Sequence, residues 1–394
     1  MKQGVLIVTI QEVNKFKIVN DIIYKQITQK QASECLNLST RQIRRLVKRV
    51  KKEGLKGVIH KSRGKPSRKR LSEAIKLRII QLAKTKYIDF KPTFLAEKLS
   101  ENENIKVSSE SVRKILIEAD LWKTKKRKTK HRSWRERRDC IGELVQLDGS
   151  HHDWFEGRAP KCVLIGFIDD ASNRVFLKFT EGETTEALMR ITQEYIKIYG
   201  CPVALYVDKD TIYKVARGEG MTQFARAMQE LGIKIIYAHS PQAKGRIERS
   251  FKTHQDRLVK ELRLNNISSI KEANKFLERK YIKEHNEKFM VKPKNDYDMH
   301  RKLPSKINLS KTFSKHSKRS IANDYTLKYK GRVFQILDTP NSRDIILNNK
   351  AIVEENLEGS IRIKYKDKYL KYKEISEKHT ASYSRWIWVP SKTG

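Results

Sequence analysis

LVQLDGSHHDWF, residues 144–155, opens the stretch whose pattern decides the fold. Leu144-Val145-Gln146-Leu147 is a short apolar run of strand character, and Asp148 follows it directly. Similar runs recur at Cys162–Ile168, Val175–Phe179, Val203–Val207 and Ile233–Tyr237. Each is of strand length and rich in β-branched or aromatic residues. Between them, Thr184–Tyr199 and Thr222–Leu231 have helical character, and a long helix is expected over roughly Lys244–Leu262. The order is three strands, helix, strand, helix, strand, helix. That order predicts a mixed sheet with helices packed on it, an α/β domain.

Within this pattern three acids stand at telling places. Asp148 continues the first strand, and Asp208 ends the fourth. Glu248 lies in the first turns of the long helix, beside an apolar stripe of Ile247, Phe251, Leu258 and Leu262. Carboxylates are the ligands that hard divalent ions such as Mg²⁺ take. Two such ions, about 3.5–4 Å apart, can activate a nucleophile and stabilise a leaving oxygen in an in-line attack on a phosphodiester. An isolated Asp after a strand is more often a turn cap, and an isolated Glu on a helix is more often solvated. Strand, strand and helix in this order give the set its meaning. Asp210 rivals Asp208, but Asp208 directly continues the apolar run. Lys244, Arg246, Arg249 and Lys252 place positive charge on the helix that presents Glu248. His151, His152 and Trp154 follow Asp148, where packing competes with any role at the site.

Outward from this region the chain changes character. At the N-terminal end, Thr28/Gln31 and Ser39/Gln42 have capping-box spacing. They predict two short helices joined at Asn37-Leu38. In the second, Ile43, Leu46, Val47 and Val50 form one stripe, while Arg41, Arg44, Arg45, Lys48 and Lys51 fall mostly opposite, and Gly54 stops the helix. This is a helix-turn-helix layout, with an apolar face for anchoring and a basic face for a DNA groove. HKSRGKPSRKR (60–70) reads as a basic linker. A second helical unit, 71–122, ends in a helix over Ser109–Ala119, with Val112, Ile115, Leu116 and Ala119 inward and Arg113 and Lys114 outward; it reads as a second helix-turn-helix or as a plain helical packing unit. Residues 123–138 hold ten Lys/Arg in sixteen positions, with Trp134 among them. After the core, period-two alternation in Tyr325–Lys330 and Ile361–Tyr365 predicts small strands and a small β-barrel with a basic outer face.

The chain has 394 residues and a formal net charge of +39, from 85 Lys plus Arg against 46 Asp plus Glu. That length suits two to four domains. The expected boundaries are 1–60 for a helix-turn-helix unit, 71–122 for a second helical, helix-turn-helix-like unit, 123–140 for a linker, 141–290 for the α/β core and 320–376 for the barrel. Residues 1–140 hold 38 Lys/Arg and 14 Asp/Glu, more than half of the net charge. Such an excess implies an anionic polymer as partner, nucleic acid before membrane. The four cysteines have no C-x-x-C spacing, which argues against a zinc site or a disulfide framework. The apolar stretch Gly4–Ile10 is too short for a membrane span. A soluble intracellular protein is expected.

LDGSHHDWF (147–155), FIDDASNR (167–174), LYVDKDTIY (205–213), TQFARAMQELGI (222–233) and SPQAKGRIERSFKTHQDRLVKEL (240–262) together resemble the catalytic core of DDE transposases. These are the retroviral-integrase-like members of the RNase H fold, and the ISNCY group of insertion sequences is the nearest in pattern. SPQAKGRIER is the most specific segment, and its resemblance maps the catalytic glutamate to Glu248. The aspartates map to Asp148 and Asp208. The 39 residues between Asp208 and Glu248 exceed the retroviral spacing, and Lys214–Met221 accounts for the excess. Asp169 and Asp170 also end a strand. In the related cores that position turns away from the metals, so they are set aside. The resemblance implies two Mg²⁺ (or Mn²⁺) ions per site and action on double-stranded DNA, both transposon ends and target. It also implies a homo-oligomer that holds two ends, and a cytoplasmic, nucleoid-associated location. Two other classes compete: a regulator that binds DNA without cutting it, which would need no intact acidic trio, and an RNase H-type nuclease, which would need no helix-turn-helix units.

Overall fold

Residues 8–64, 70–124, 136–208, 210–213, 220–238, 245–337 and 350–375 are described by the computed structural model. The chain divides into two compact units, Met1–Lys125 and Lys126–Gly394.

The first unit is helical. Helices α1 (Ile10–Ile23), α2 (Gln29–Leu36) and α3 (Thr40–Glu53) form its opening trio. Both expected capping boxes are present: Thr28 and Ser39 each accept from the amide three residues on, and Gln31 and Gln42 reach back to the cap amides. Asn37 ends α2 in the left-handed conformation at φ 49°, which an asparagine tolerates and which turns the chain sharply into α3. Leu46 and Val50 of α3 pack with Val19 of α1 and with Val58. Gly54, at φ 59°, stops α3. A second trio follows: α4 (Glu73–Thr85), α5 (Pro92–Asn102) and α6 (Ser109–Glu118). Ser72 and Ser108 cap α4 and α6, and Pro92 opens α5 where its missing N–H costs nothing. Val112, Ile115 and Leu116 are buried on α6, as their spacing predicts.

The second unit is built on a five-stranded sheet of β1 (Leu144–His152), β2 (Cys162–Asp169), β3 (Val175–Thr180), β4 (Ala204–Val207) and β5 (Lys234–Tyr237). Its spatial order is β3-β2-β1-β4-β5. The β1–β2 and β2–β3 pairs are antiparallel; β1–β4 and β4–β5 are parallel. Helices α7 (Thr185–Tyr199) and α8 (Gln223–Glu230) bury Leu188, Met189, Tyr195, Phe224 and Met228 against Val145, Leu147 and Phe167 on one face. Helix α9 (Gly245–Leu264) lays Ile247, Phe251 and Leu258 against Leu164, Ile168 and Leu177 on the other. With both faces covered, the β2 run Cys162–Asp169 is buried throughout. This is a mixed five-stranded α/β core with helices on both faces.

Strand β1 runs well past the apolar run that announces it. Its antiparallel pairing with β2 continues through Asp148↔Gly166 to His152↔Cys162, so Asp148 sits within the strand. Beyond α9, helix α10 (Ile270–Phe276) passes through a π-turn at Leu277–Tyr281 into α11 (Ile282–Phe289).

The expected β-barrel is corrected by the structure. The C-terminal strands are β6 (Lys315–Ser320), β7 (Thr326–Tyr329), β8 (Arg332–Ile336), β9 (Lys350–Glu355), β10 (Ile361–Tyr365), β11 (Lys368–Leu370) and β12 (Tyr372–Ile375). Among the described residues they form two open sheets, β11-β10-β9-β6 and β12-β8-β7. The strands are three to six residues long, and no ladder joins one sheet to the other. The sheets instead share one core, in which Leu327, Phe334 and Ile336 meet Val353, Ile361 and Ile363. Among the described residues no helix is long and apolar enough to cross a membrane.

Candidate active site

The geometry starts from β1. Its parallel neighbour β4 has Tyr206 level with Gln146. Two residues further along come Asp148, still within β1, and Asp208, just past the end of β4, so both acids lie toward the same end of the parallel pair. Side chains alternate along a strand, so Gln146, Asp148 and Ser150 share one face. Helix α9 lies on that face. The Ile247 amide donates to Gln146 Oε1 at 3.3 Å, and Gln255 Nε2 donates to Ser150 Oγ at 3.1 Å. Glu248 is the next residue after Ile247, half-buried in the first turn. Glu248 thus stands in the first turn of the helix that covers the face of β1 carrying Asp148. Asp210 does a different job. Its Oδ1 accepts from the Ile212 amide at 3.0 Å and the Thr211 hydroxyl at 3.2 Å, while its own amide donates to Asp208 Oδ1 at 3.1 Å. It is a turn-forming residue that braces Asp208.

Sequence reasoning missed two groups here. Glu183, in the loop before α7, lies against the other side of β1: a Cβ added at Gly149 would come within 2.3 Å of its Oε2. His151 Nε2 stands 3.4 Å from the same carboxylate. Burial, then the negative charge of Asp148, raises the Glu183 carboxyl above its ordinary range; Asp208 and Asp210 add to this and His151 opposes it. Tyr213 is the second group. Its ring is fully buried against Phe224, and its hydroxyl has no hydrogen-bond partner among the described residues. Burial raises its phenol well above the ordinary value, and Glu183, Asp148, Asp208 and Asp210 all push the same way. Four carboxylates thus share one field. A Glu in GETTEA looks like an ordinary helix-start acid, and only the tertiary packing of the β3–α7 loop on β1 reveals it. Among the described residues no three His, Cys, Asp or Glu side chains are gathered as a metal cage. The donor set nonetheless suits a hard divalent cation, because every group in it is a carboxylate and their mutual repulsion is what such an ion relieves.

Asp169 and Asp170, set aside on sequence, are both buried and fully engaged. Asp169 caps the turn into β3 through the Ser172 amide and hydroxyl, and accepts from the Gly142 amide. Asp170 Oδ1 accepts from Gln146 Nε2 at 3.0 Å and from Arg246 Nη1 at 3.2 Å, and Oδ2 accepts from the Arg138 amide at 2.9 Å. Arg246, expected to face DNA, is therefore turned inward and is only 18% exposed.

The other expected DNA contacts are placed variously. Arg41, Arg44, Arg45 and Lys48 are exposed on α3, and Arg44 also reaches Gln29 of α2. Their neighbour Arg49 instead turns in to the Gly57 carbonyl. Arg113 is half-buried and holds Glu110 through two hydrogen bonds. Arg249 and Lys252 are exposed on α9. Lys244 and Trp134 lie outside the described residues. Trp154 is fully buried, and its Nε1 donates to the Ser150 carbonyl, so it is a packing residue.

Known proteins resemble the chain at three levels. A family described as a homeodomain-like domain matches residues 42–116. The catalytic core domain of BIV integrase superposes on 36% of this chain and 86% of its own, with 18% identity and a TM-score of 0.27. The HTLV-2 integrase catalytic core in complex with magnesium covers 36% of this chain and 90% of its own, with 19% identity and a TM-score of 0.28. Sequence similarity runs much further. "Putative transposase y4bF" of Sinorhizobium fredii is 34% identical over 377 residues, covering 94% of this chain and 82% of that protein. The transposase for insertion sequence IS1202 of Streptococcus pneumoniae is 30% identical over 410 residues, covering 92% and 86%. With 34% and 30% identity over nearly the whole length of these proteins, the chain belongs to the insertion-sequence transposases.

Proposed function

We propose that the chain is a DDE transposase that binds the terminal inverted repeats of its element, frees a 3′-hydroxyl by hydrolysis, and directs that hydroxyl onto target DNA. What supports this reading is the parallel β1–β4 pair, with Asp148 continuing β1 and Asp208 directly following β4, and the tie of α9, the helix of Glu248, to β1 through Gln146. Asp148, Asp208 and Glu248 would hold Mg²⁺ or Mn²⁺, two ions per site. When bound, such ions supply activation of the attacking oxygen and charge relief at the leaving one. The protein's own part is positional. The β1–β4 register sets the spacing of the two aspartates, and the Gln146 side chain sets where α9 begins. Arg249 and Lys252 face outward on that helix and would hold the phosphate backbone beside the site. Residues 1–60 and 71–122 would recognise the ends, with Arg41, Arg44, Arg45 and Lys48 entering a groove and Arg113, paired to Glu110, contributing less from α6. Residues 123–140 would act as the linker, 141–290 as the catalytic core and 320–376 as an accessory β-domain. Joining two ends to one target requires at least two active sites, so the working form would be an oligomer.

The test uses the full-length chain, a labelled duplex carrying the element's end, and Mn²⁺ or Mg²⁺. Wild type is expected to give nicked and joined products, while Asp148→Ala retains binding and gives neither. Binding by wild type with no cation-dependent cleavage would leave the non-enzymatic regulator as the correct reading.

A further inference from the structure

Helix α9 must begin at a defined point over β1, or Glu248 will miss the two aspartates. Each residue of slippage along a helix moves a side chain 1.5 Å and turns it by 100°. The first amides of a helix have no partners within it, so something outside must hold them. Here that is Gln146, whose Oε1 takes the Ile247 amide. A glutamine amide can flip, and a flip would present a donor to that N–H. The buried Asp170 prevents this by accepting from Gln146 Nε2, which fixes Oε1 toward the helix. The same Asp170 oxygen takes Arg246, one residue before Ile247. Asp170 is itself anchored on three sides: its amide donates to the Leu144 carbonyl, its carbonyl accepts from Arg137, and its second oxygen accepts from the Arg138 amide.

We infer that Asp170 is a positioning residue for Glu248: with Gln146 and Arg246 it clamps the first turn of α9 in catalytic register. The inference rests on reading Glu248 as a site acid. It gives Asp170 a function that a strand-end turn residue lacks. It also assigns Arg246 to the clamp and takes it off the DNA-facing surface.

The test compares full-length wild type, Asp170→Asn, Arg246→Met and the double variant. Hydrogen exchange is followed across the chain, and cleavage of the labelled end duplex is titrated with Mn²⁺. In Asp170→Asn, exchange over residues 246–252 should quicken about tenfold while β2 and the helices of the first unit keep wild-type protection. The Mn²⁺ concentration for half-maximal cleavage should rise about tenfold, the scale on which partners that orient metal ligands act. DNA affinity should not change. The double variant should be no worse than the poorer single one, because both residues serve one clamp. Unchanged exchange at 246–252, or faster exchange spread evenly over the second unit, would overturn the inference. If wild type itself fails to cut, the proposed chemistry falls, while the exchange comparison still decides whether the clamp exists.

Discussion

Asp208 and Asp210 stand two residues apart, yet their surroundings assign them different work. Asp208 directly follows β4, the parallel neighbour of the strand that carries Asp148, and it receives the amide of Asp210. Asp210 spends its side chain on Thr211 and Ile212. Replacing Asp208 removes a charge that the proposed reaction needs, whereas replacing Asp210 loosens a turn. Asp208→Asn should therefore reduce cleavage by more than about 100-fold, beyond the 10–100-fold that loss of a supporting residue at a metal site brings. Asp210→Asn keeps an oxygen for the turn and should cost less than about tenfold. Single-turnover cleavage of the end duplex by each variant distinguishes them, and equal losses would return Asp210 to the trio. The sequence favoured Asp208 because the apolar run points straight at it. It gave no hint of Asp210's bracing role, which is a matter of loop hydrogen bonds. Nor did it reveal Glu183, which meets Gly149 only because α7 packs on the sheet.

At the scale of elements, local signals were reliable where the element makes its own bonds. The capping boxes of α2 and α3 lie where the Thr–Gln and Ser–Gln spacings put them. They failed where the partner is distant. The polar half of β1, Asp148–His152, has no strand pattern and is held extended by β2. The seam between α9 and α11 was equally invisible. There His254 is fully buried, with Tyr281 and Ser250 on its two ring nitrogens, and its ring lies 4.4 Å from that of His285. Burial, with the positive charges of Arg257 and Lys288 beside it, pushes the His285 imidazole down to about 4. Burial lowers His254 in the same direction, and His285 adds to it. An imidazole held neutral in the fold but free to protonate when unfolded makes the unfolded state bind more protons between pH 4 and 6.5. The stabilisation is complete above that window and declines as the pH falls through it. For His285 alone, the second unit should lose about 2 kcal/mol between pH 7 and pH 5. Urea unfolding at the two pH values should show a smaller loss for His285→Phe than for wild type. An unchanged difference would mean that the seam does not control acid stability.

Over the whole molecule, the net charge of +39 favours an anionic polymer such as DNA as partner. Composition revealed that excess, and period-two alternation revealed the C-terminal strands. It could not reveal that the seven short strands among the described residues pair into two open sheets rather than a barrel, because pairing between strands is not encoded in the alternation of any one of them. The basic residues are also not equivalent, which a count conceals. Arg49, Arg113 and Arg246 are occupied by Gly57, Glu110 and Asp170, whereas Arg41, Arg44, Arg45 and Lys48 stand exposed on one helix. Each phosphate neutralised steepens the fall of log affinity with log salt by about 0.9. Changing those four residues of α3 to Gln should flatten that slope by up to about 3.6 if each meets a phosphate, and by less where a side chain reads a base. Arg113→Gln should change it far less, because Glu110 already holds the guanidinium. Fluorescence anisotropy of an end duplex between 50 and 200 mM salt measures both slopes. Equal changes for the two sets would mean that exposure does not choose the contacts and that the excess charge acts as a diffuse field. A flattened slope with cleavage restored at high protein concentration would instead separate the two units by function, recognition in the first and chemistry in the second.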